Sequence, residues 1–143
     1  MANSASVEFD IRKRLPASLE AVDPVSMQLR RLMEGRYSRT DVFAGELLCR
    51  EALANAIRHG SEMDGTRTVN FAARVRSNRL TMAVTDEGPG FDWRSVKIHA
   101  PGDCDVCGRG MAIYQGYADR IRFNRSGNQV MLVRRLGIRG KQV

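Results

Sequence analysis

The spacing of the apolar residues changes near residue 69, and this change constrains the fold more than any other feature of the chain. Apolar residues alternate with polar ones over residues 69–75, and a second alternation covers residues 80–84. Alternation is the period of a half-buried strand, because successive side chains point to opposite faces of a sheet. Ser77 and Asn78 lie between the two runs and are typical of a tight turn. The segment therefore predicts two strands joined as a hairpin.

Helical spacing precedes this hairpin. Residues 7–12 alternate in the manner of a strand, and a helical pattern then covers residues 18–34. A second helical pattern begins at Thr40 and Asp41, which are good capping residues, and continues to Gly60. The first part of the chain therefore predicts a strand followed by two helices.

The second half of the chain adds a long loop and a second hairpin. A stretch rich in glycine, proline and aspartate covers residues 86–107, a short helical pattern covers 108–117, and strand-like runs cover 121–123 and 130–133. A doubly wound fold would alternate strands and helices throughout, and this chain does not. The order predicts a two-layer α/β sandwich, in which a mixed sheet carries its helices on one face.

The length of 143 residues is typical of one domain, so we expect a single domain over residues 1–143 with a basic tail over about 137–143. No apolar run is long enough to cross a bilayer, and residues 1–6 lack the regions of a secretory signal. The expectation is a cytoplasmic protein without membrane contact. Three cysteines in such a chain are expected to be reduced thiols.

The net charge of +7 comes mostly from arginine. A basic surface can serve a nucleic acid, a nucleotide or an acidic protein partner. The sequence contains no recognition helix, no aromatic stacking platform and no basic run, so direct nucleic-acid binding is not favoured.

The second predicted helix is mostly apolar but carries one narrow stripe of polar residues along its length. Glu51, Asn55 and Arg58 fall together on a helical wheel whose other positions are mostly apolar. A carboxylate and an amide in a largely buried helix need partners or a ligand. Neighbouring backbone groups could satisfy both, so the stripe alone leaves a structural role and a binding role open.

Two glycine-rich segments follow at element boundaries. Asp86, Gly88 and Gly90 lie where a strand is predicted to end, and an aspartate there can accept a hydrogen bond from an adenine amino group. Gly108 and Gly110 open the short helix, whose backbone N–H groups suit phosphate oxygens. Each segment alone could be a plain turn or a hinge.

Taken together, these segments resemble the nucleotide-binding boxes of the GHKL superfamily of gyrase, Hsp90, histidine kinase and MutL, and within it the anti-sigma regulatory factors. The resemblance covers nearly the whole chain and rests on three motifs: Glu51-x-x-x-Asn55-Ala56-x-x-His59-Gly60, Asp86-x-Gly88-x-Gly90 and Gly108-x-Gly110. It implies the Bergerat ATP-binding fold. It also implies a protein that binds ATP and Mg²⁺, sequesters a sigma factor or another regulatory target, and phosphorylates a small antagonist protein on serine or threonine.

The resemblance also implies a role for each matching residue. Asn55 would be the Mg²⁺ ligand and Glu51 the catalytic base that takes a proton from the attacking hydroxyl. Asp86 would bind adenine, in a pocket shaped by Gly88 and Gly90. The segment from Gly108 through Arg109 to Gly110 would cover the phosphates, with Arg109 as a possible γ-phosphate contact. His59 would support the site from behind.

Two alternatives remain open from the sequence. A non-catalytic ATP-dependent switch that captures a protein partner would need the same binding residues but not Glu51 as a base. His99, Cys104 and Cys107 could bind zinc or act in redox chemistry, although ordinary cysteines of a loop are the simpler interpretation. By analogy with the family, the chain would form a homodimer.

Overall fold

The computed structural model describes residues 7–90 and 108–137. The described part begins with strand β1 (Val7–Pro16), a 3₁₀ turn (Leu19–Ala21), helix α1 (Val22–Met33) and helix α2 (Arg39–Asn55). A π-helical segment (Ala56–Gly60) extends α2. The chain continues with β2 (Thr68–Arg76), β3 (Arg79–Asp86), α3 (Gly108–Tyr117), β4 (Arg120–Phe123) and β5 (Gln129–Arg135). The predicted order of strands and helices is confirmed.

The five described strands form one sheet in the order β1-β2-β3-β5-β4, and all four neighbouring pairs are antiparallel. The two-layer α/β sandwich is confirmed, but the expectation of a mixed sheet is wrong for this part of the chain. Pro16 at the end of β1 lies opposite Thr68 at the start of β2, because the two intervening helices return the chain to the same end of the sheet. A connection through a single helix would have carried the chain back to the opposite end of the sheet and made β1 and β2 parallel.

Ser77 and Asn78 form the turn between β2 and β3, as the sequence predicts. Their φ angles of 52° and 57° lie in the left-handed region, as a two-residue hairpin turn of type I′ requires. This turn fixes the register of the hairpin, in which Val75 lies opposite Leu80.

The core lies between one face of the sheet and the helices. Phe71, Leu80 and Met82 on the sheet are almost completely buried, and they belong to the same cluster as Leu29 of α1 and Leu53 of α2. The opposite face of the sheet carries no helix of the described residues. Burial along β2 alternates accordingly.

The N-cap of helix α2 lies two residues before Thr40, the start of its predicted cap. Ser38 is the N-cap, and its Oγ accepts a hydrogen bond of 3.1 Å from the backbone N–H of Asp41. Thr40 and Asp41 therefore lie inside the helix. Asp41 points inward, where its Oδ1 accepts hydrogen bonds from Nε and Nη2 of Arg134 at 3.1 Å and 2.9 Å.

None of the helices within residues 7–90 and 108–137 combines the length and apolar character that a membrane span requires.

Candidate active site

A cavity of about 300 Å³ opens between the end of α2, the end of β3, the start of β5 and helix α3. Residues from all three sequence motifs line it. They include Asn55, His59, Asp86, Gly90 and Gly110. The fold therefore brings together three segments that are well separated along the chain.

Asn55 is held by a tyrosine of the opposing helix. Its Nδ2 donates a hydrogen bond of 3.0 Å to the hydroxyl oxygen of Tyr114. Tyr114 is buried, and burial raises the pKa of its phenol further above neutral pH. No hydrogen bond among the described residues uses Oδ1 of Asn55, which leaves that oxygen for a ligand such as a hard cation.

The start of α3 lies directly against the polar stripe of α2. A Cβ atom on Gly110 would lie 2.5 Å from Nδ2 of Asn55 and 3.3 Å from Oε1 of Glu51. A larger residue at position 110 would have to displace the side chain of Asn55 or move the two helices apart. Glu51 is half-buried beside Gly110 but is not among the residues that line the cavity.

Asp86 lies at the end of β3, on the other side of the cavity. Its Oδ1 accepts a hydrogen bond of 2.7 Å from the backbone N–H of Gly88. Burial raises the pKa of this carboxyl, while the bond from Gly88 and the charge of Arg67 act in the opposite direction. The result is a partly desolvated carboxylate that favours a hydrogen-bond donor.

Asn128 fixes the backbone of Asp86. The N–H of Asp86 donates to the carbonyl oxygen of Asn128 at 2.9 Å, and Nδ2 of Asn128 donates to the carbonyl oxygen of Asp86 at 3.1 Å. Asn128 itself lines the cavity. The turn before β5 therefore sets the position of the aspartate.

The π-helical segment places Gly60 against Asp86. A Cβ on Gly60 would overlap the Asp86 carboxylate, and a Cβ on Gly88 would overlap the carbonyl oxygen of Gly60. Short π-helical insertions in α-helices occur often at functional sites. Here the insertion brings the helix end into contact with the end of β3.

Gly90 meets the opposite hairpin. Its φ of +84° lies in the left-handed region, and a Cβ at this position would overlap the carbonyl oxygen of Ser126. Both the conformation and the close approach to the Ser126 backbone therefore require glycine.

Asn55, Asp86, Gly90 and Gly110 thus line one cavity, while Glu51 lies next to Gly110 and Gly88 next to Asp86 without lining it. Gly108 and Arg109 begin α3 as expected, while the contacts of the Arg109 side chain lie outside the described part. His59 is exposed on the cavity wall rather than behind it.

The cysteine and histidine residues of the long loop, His99, Cys104 and Cys107, lie outside the described residues. Within the described ranges, no three histidine, cysteine, aspartate or glutamate residues group as a metal site would require. Cys49 is a buried residue of α2, and desolvation raises the pKa of its thiol to about 12. This thiol is therefore an unreactive part of the core.

Sequence reasoning missed Tyr114 and the full role of Gly60. Tyr114 follows Gly110 by one helical turn, so both face α2, and this spacing was the available signal. Gly60 was assigned only to a helix end, because its contact with Asp86 depends on how α2 meets β3.

Comparison with known proteins gives two findings. The family model described as "Histidine kinase-like ATPase domain" matches residues 15–134. The serine-protein kinases RsbW of Staphylococcus epidermidis and two of its strains are 27% identical over 100 residues, which is 66% of this chain and 60% of theirs. The match therefore spans less than two thirds of the length of these relatives.

Proposed function

The chain belongs to the histidine kinase-like ATPase domain family, and we propose that it binds Mg-ATP in this cavity and transfers the γ-phosphate to a serine or threonine of a protein partner. The observation that carries the proposal is the contact of Gly110 with both Glu51 and Asn55, because it places a helix N-terminus beside a carboxylate and an amide. The similarity to serine-protein kinases supports the choice of acceptor.

The binding roles follow from the chemistry of the donors and acceptors. Asp86 accepts a hydrogen bond from the adenine amino group, and Gly88 and Gly90 let the backbone that follows Asp86 pack closely against Gly60 and Ser126. The backbone N–H groups at the start of α3, from Gly108 onward, face the phosphates. Bound Mg²⁺ would neutralise phosphate charge, and Oδ1 of Asn55 would be its protein ligand.

Glu51 is proposed as the catalytic base. Phosphoryl transfer needs a positioned acceptor oxygen and a group that takes its proton as the bond to phosphorus forms and ADP leaves. The carboxylate of Glu51 lies one helical turn before Asn55, so it is close to the proposed phosphate position.

The regulatory role deepens this proposal. The motif resemblance favours an anti-sigma regulator whose partners are a sigma factor or another regulatory target and a small antagonist protein. A second candidate is a switch that captures a partner in an ATP-dependent manner without phosphorylating it. The position of Glu51 outside the cavity wall favours that candidate.

Phosphotransfer by Glu51 variants tests the two candidates. The protein is incubated with Mg-ATP and with candidate antagonist proteins encoded near its gene, and phosphoserine or phosphothreonine is measured by mass spectrometry. Glu51→Ala should retain ATP binding but lose transfer by about 10²–10⁴-fold, as expected on removal of a general base. Glu46→Ala, on the same helix but paired with Arg50, is the matched control and should transfer normally. Equal transfer by the Glu51 variant and the parent would leave the binding switch as the better account.

A further inference from the structure

The face of the sheet that the described helices leave uncovered is rich in arginine. Strand alternation places these side chains on the side opposite the core. We call this surface the arginine face and define it by six exposed residues: Arg12, Arg74, Arg76, Arg79, Arg122 and Arg135.

Ala72, Ala83 and the exposed side chain of Met131 form the floor between these arginines. Ala72 lies opposite Ala83, and Ala83 lies opposite Met131 across the next pair of strands. A groove of about 500 Å³ runs beside this floor along β1, where Arg12 and Arg14 line it. The face therefore offers a shallow depression with cationic borders.

Three of the arginines form a like-charged row across the sheet. Arg76 lies opposite Arg79 in the β2–β3 pair, and Arg79 lies opposite Arg135 in the β3–β5 pair. Like charges directly opposite each other destabilise a sheet. A sheet face whose only role was to be exposed to solvent would be more stable if positively and negatively charged side chains alternated on it. The row is better explained by a negatively charged partner.

Acidic residues of the described chain leave most of this charge unpaired. Asp10 lies 3.5 Å from Arg12, and no other salt bridge within the described ranges involves a member of the arginine face. The guanidinium groups therefore remain available to carboxylates, which they can bind through two parallel hydrogen bonds.

We propose that the arginine face is a docking surface for an acidic protein partner. A single-stranded nucleic acid would need aromatic side chains on which its bases could stack, and none is present among the described residues of this face. A second copy of the chain would bring one arginine row against another, which the charge opposes. The proposal is independent of phosphotransfer, because the face lies on the opposite side of the sheet from helices α2 and α3.

Charge reversal on this face tests the proposal. Arg76→Glu with Arg122→Glu places negative charges at two sides of the face, and the glutamate at position 76 would face Arg79 as an opposite-charge pair. The fold should therefore be retained, which thermal melting checks. Arg31→Glu with Arg36→Glu is the matched control, because both arginines are exposed beside α1 and the change in net charge is the same.

Binding is measured by calorimetry with a poly-glutamate peptide, and with a single-stranded oligonucleotide of equal charge. The sheet-face variant should bind the peptide about tenfold or more weakly than the parent, while the α1 control keeps most of its affinity. Equal losses in the two variants would show that only net charge matters and would overturn the proposal. Tighter binding of the oligonucleotide through the same arginines would also overturn it, as would a dimer of the parent that only the sheet-face variant dissociates.

Discussion

At the scale of one residue, the charge on Asp86 would favour the binding of adenine but lowers the stability of the folded protein. Burial raises the pKa of its carboxyl above the value in the unfolded chain, so the folded state holds the proton more tightly. The free energy of unfolding therefore falls as pH rises from the pKa of Asp86 in the unfolded chain through its pKa in the folded protein. At neutral pH the charged carboxylate destabilises the folded state. The same charge is what an adenine amino group would favour.

Asp86→Asn should separate these two effects. The amide can keep the bond from Gly88 but can also present an N–H to the adenine amino group, so ATP affinity should fall roughly 10- to 100-fold, the range for losing a hydrogen bond to a charged group. The melting temperature without nucleotide should be equal to or higher than that of the parent. Calorimetry and thermal melting measure the two quantities.

Asp10→Asn is the control for this substitution, because it removes the same charge from an exposed position on the sheet. Its ATP affinity should match that of the parent. Unchanged ATP affinity in Asp86→Asn would remove Asp86 from the binding site. The parent should itself lose ATP affinity on acidification at a higher pH than an ordinary aspartate would allow.

At the scale of elements, helix α3 carries Gly110 and Gly116, of which only the first lies against another helix. A Cβ at Gly110 would press on Asn55 and Glu51, whereas nothing lies within 4 Å of a Cβ at Gly116. Gly110→Ala should push the start of α3 away from α2 and weaken ATP binding. Gly116→Ala should leave binding unchanged and stabilise the helix by about 0.5–1 kcal/mol. Calorimetry and urea unfolding check both outcomes, and equal ATP affinity in the two variants would contradict the proposed contact.

A largely buried ion pair joins helix α2 to strand β5. Besides its bonds from Arg134, Asp41 accepts a hydrogen bond of 2.8 Å from the backbone N–H of Gly137. Nη1 of Arg134 also donates to the carbonyl oxygen of Tyr117 at 2.7 Å. The Asp41–Arg134 pair thus connects the start of α2, strand β5 and, through the guanidinium, the end of α3.

Asp41→Ala should lower the free energy of unfolding by more than a surface pair contributes, up to about 3–5 kcal/mol, because the largely buried guanidinium of Arg134 loses its carboxylate partner. Asp23→Ala is the control, since Asp23 pairs with Arg50 at the surface and such pairs contribute about 0–1 kcal/mol. Urea unfolding measures both values. Similar losses in the two variants would show that the Asp41 pair contributes no more than a surface pair.

For the whole molecule, the sequence predicted those features of the fold that depend on residues close together along the chain. The two helices, the hairpins and the glycines of the site could be inferred, because periodicity and turn residues report directly on local conformation. Strand order could not, since alternation shows which face of a strand is buried but not which strand lies beside it. The bonds from Asn55 to Tyr114 and from Arg134 to Asp41 join residues 59 and 93 positions apart. Helical spacing can place Tyr114 on the face toward α2, but no local pattern identifies the partner of either side chain.

The pairing of β3 with β5 also has a consequence for kinetics. The β2–β3 hairpin closes through a two-residue turn, whereas Val84 must find Val130 across the long segment between them. Closing a longer loop costs more entropy, so we expect the hairpin to form early and the β3–β5 pairing to form late. The bonds that hold Asp86 to Asn128 belong to that late step.

A nucleotide should therefore recognise only the nearly complete protein. Interactions absent from the folding transition state slow unfolding and leave the folding rate almost unchanged. In stopped-flow experiments across a range of urea concentrations, Mg-ATP should lower the unfolding rate while refolding proceeds at its unliganded speed. Faster refolding with Mg-ATP would mean that the pocket forms before the barrier. If unfolding alone is slowed, bound ATP increases the kinetic stability of the protein, so that each molecule stays folded for longer.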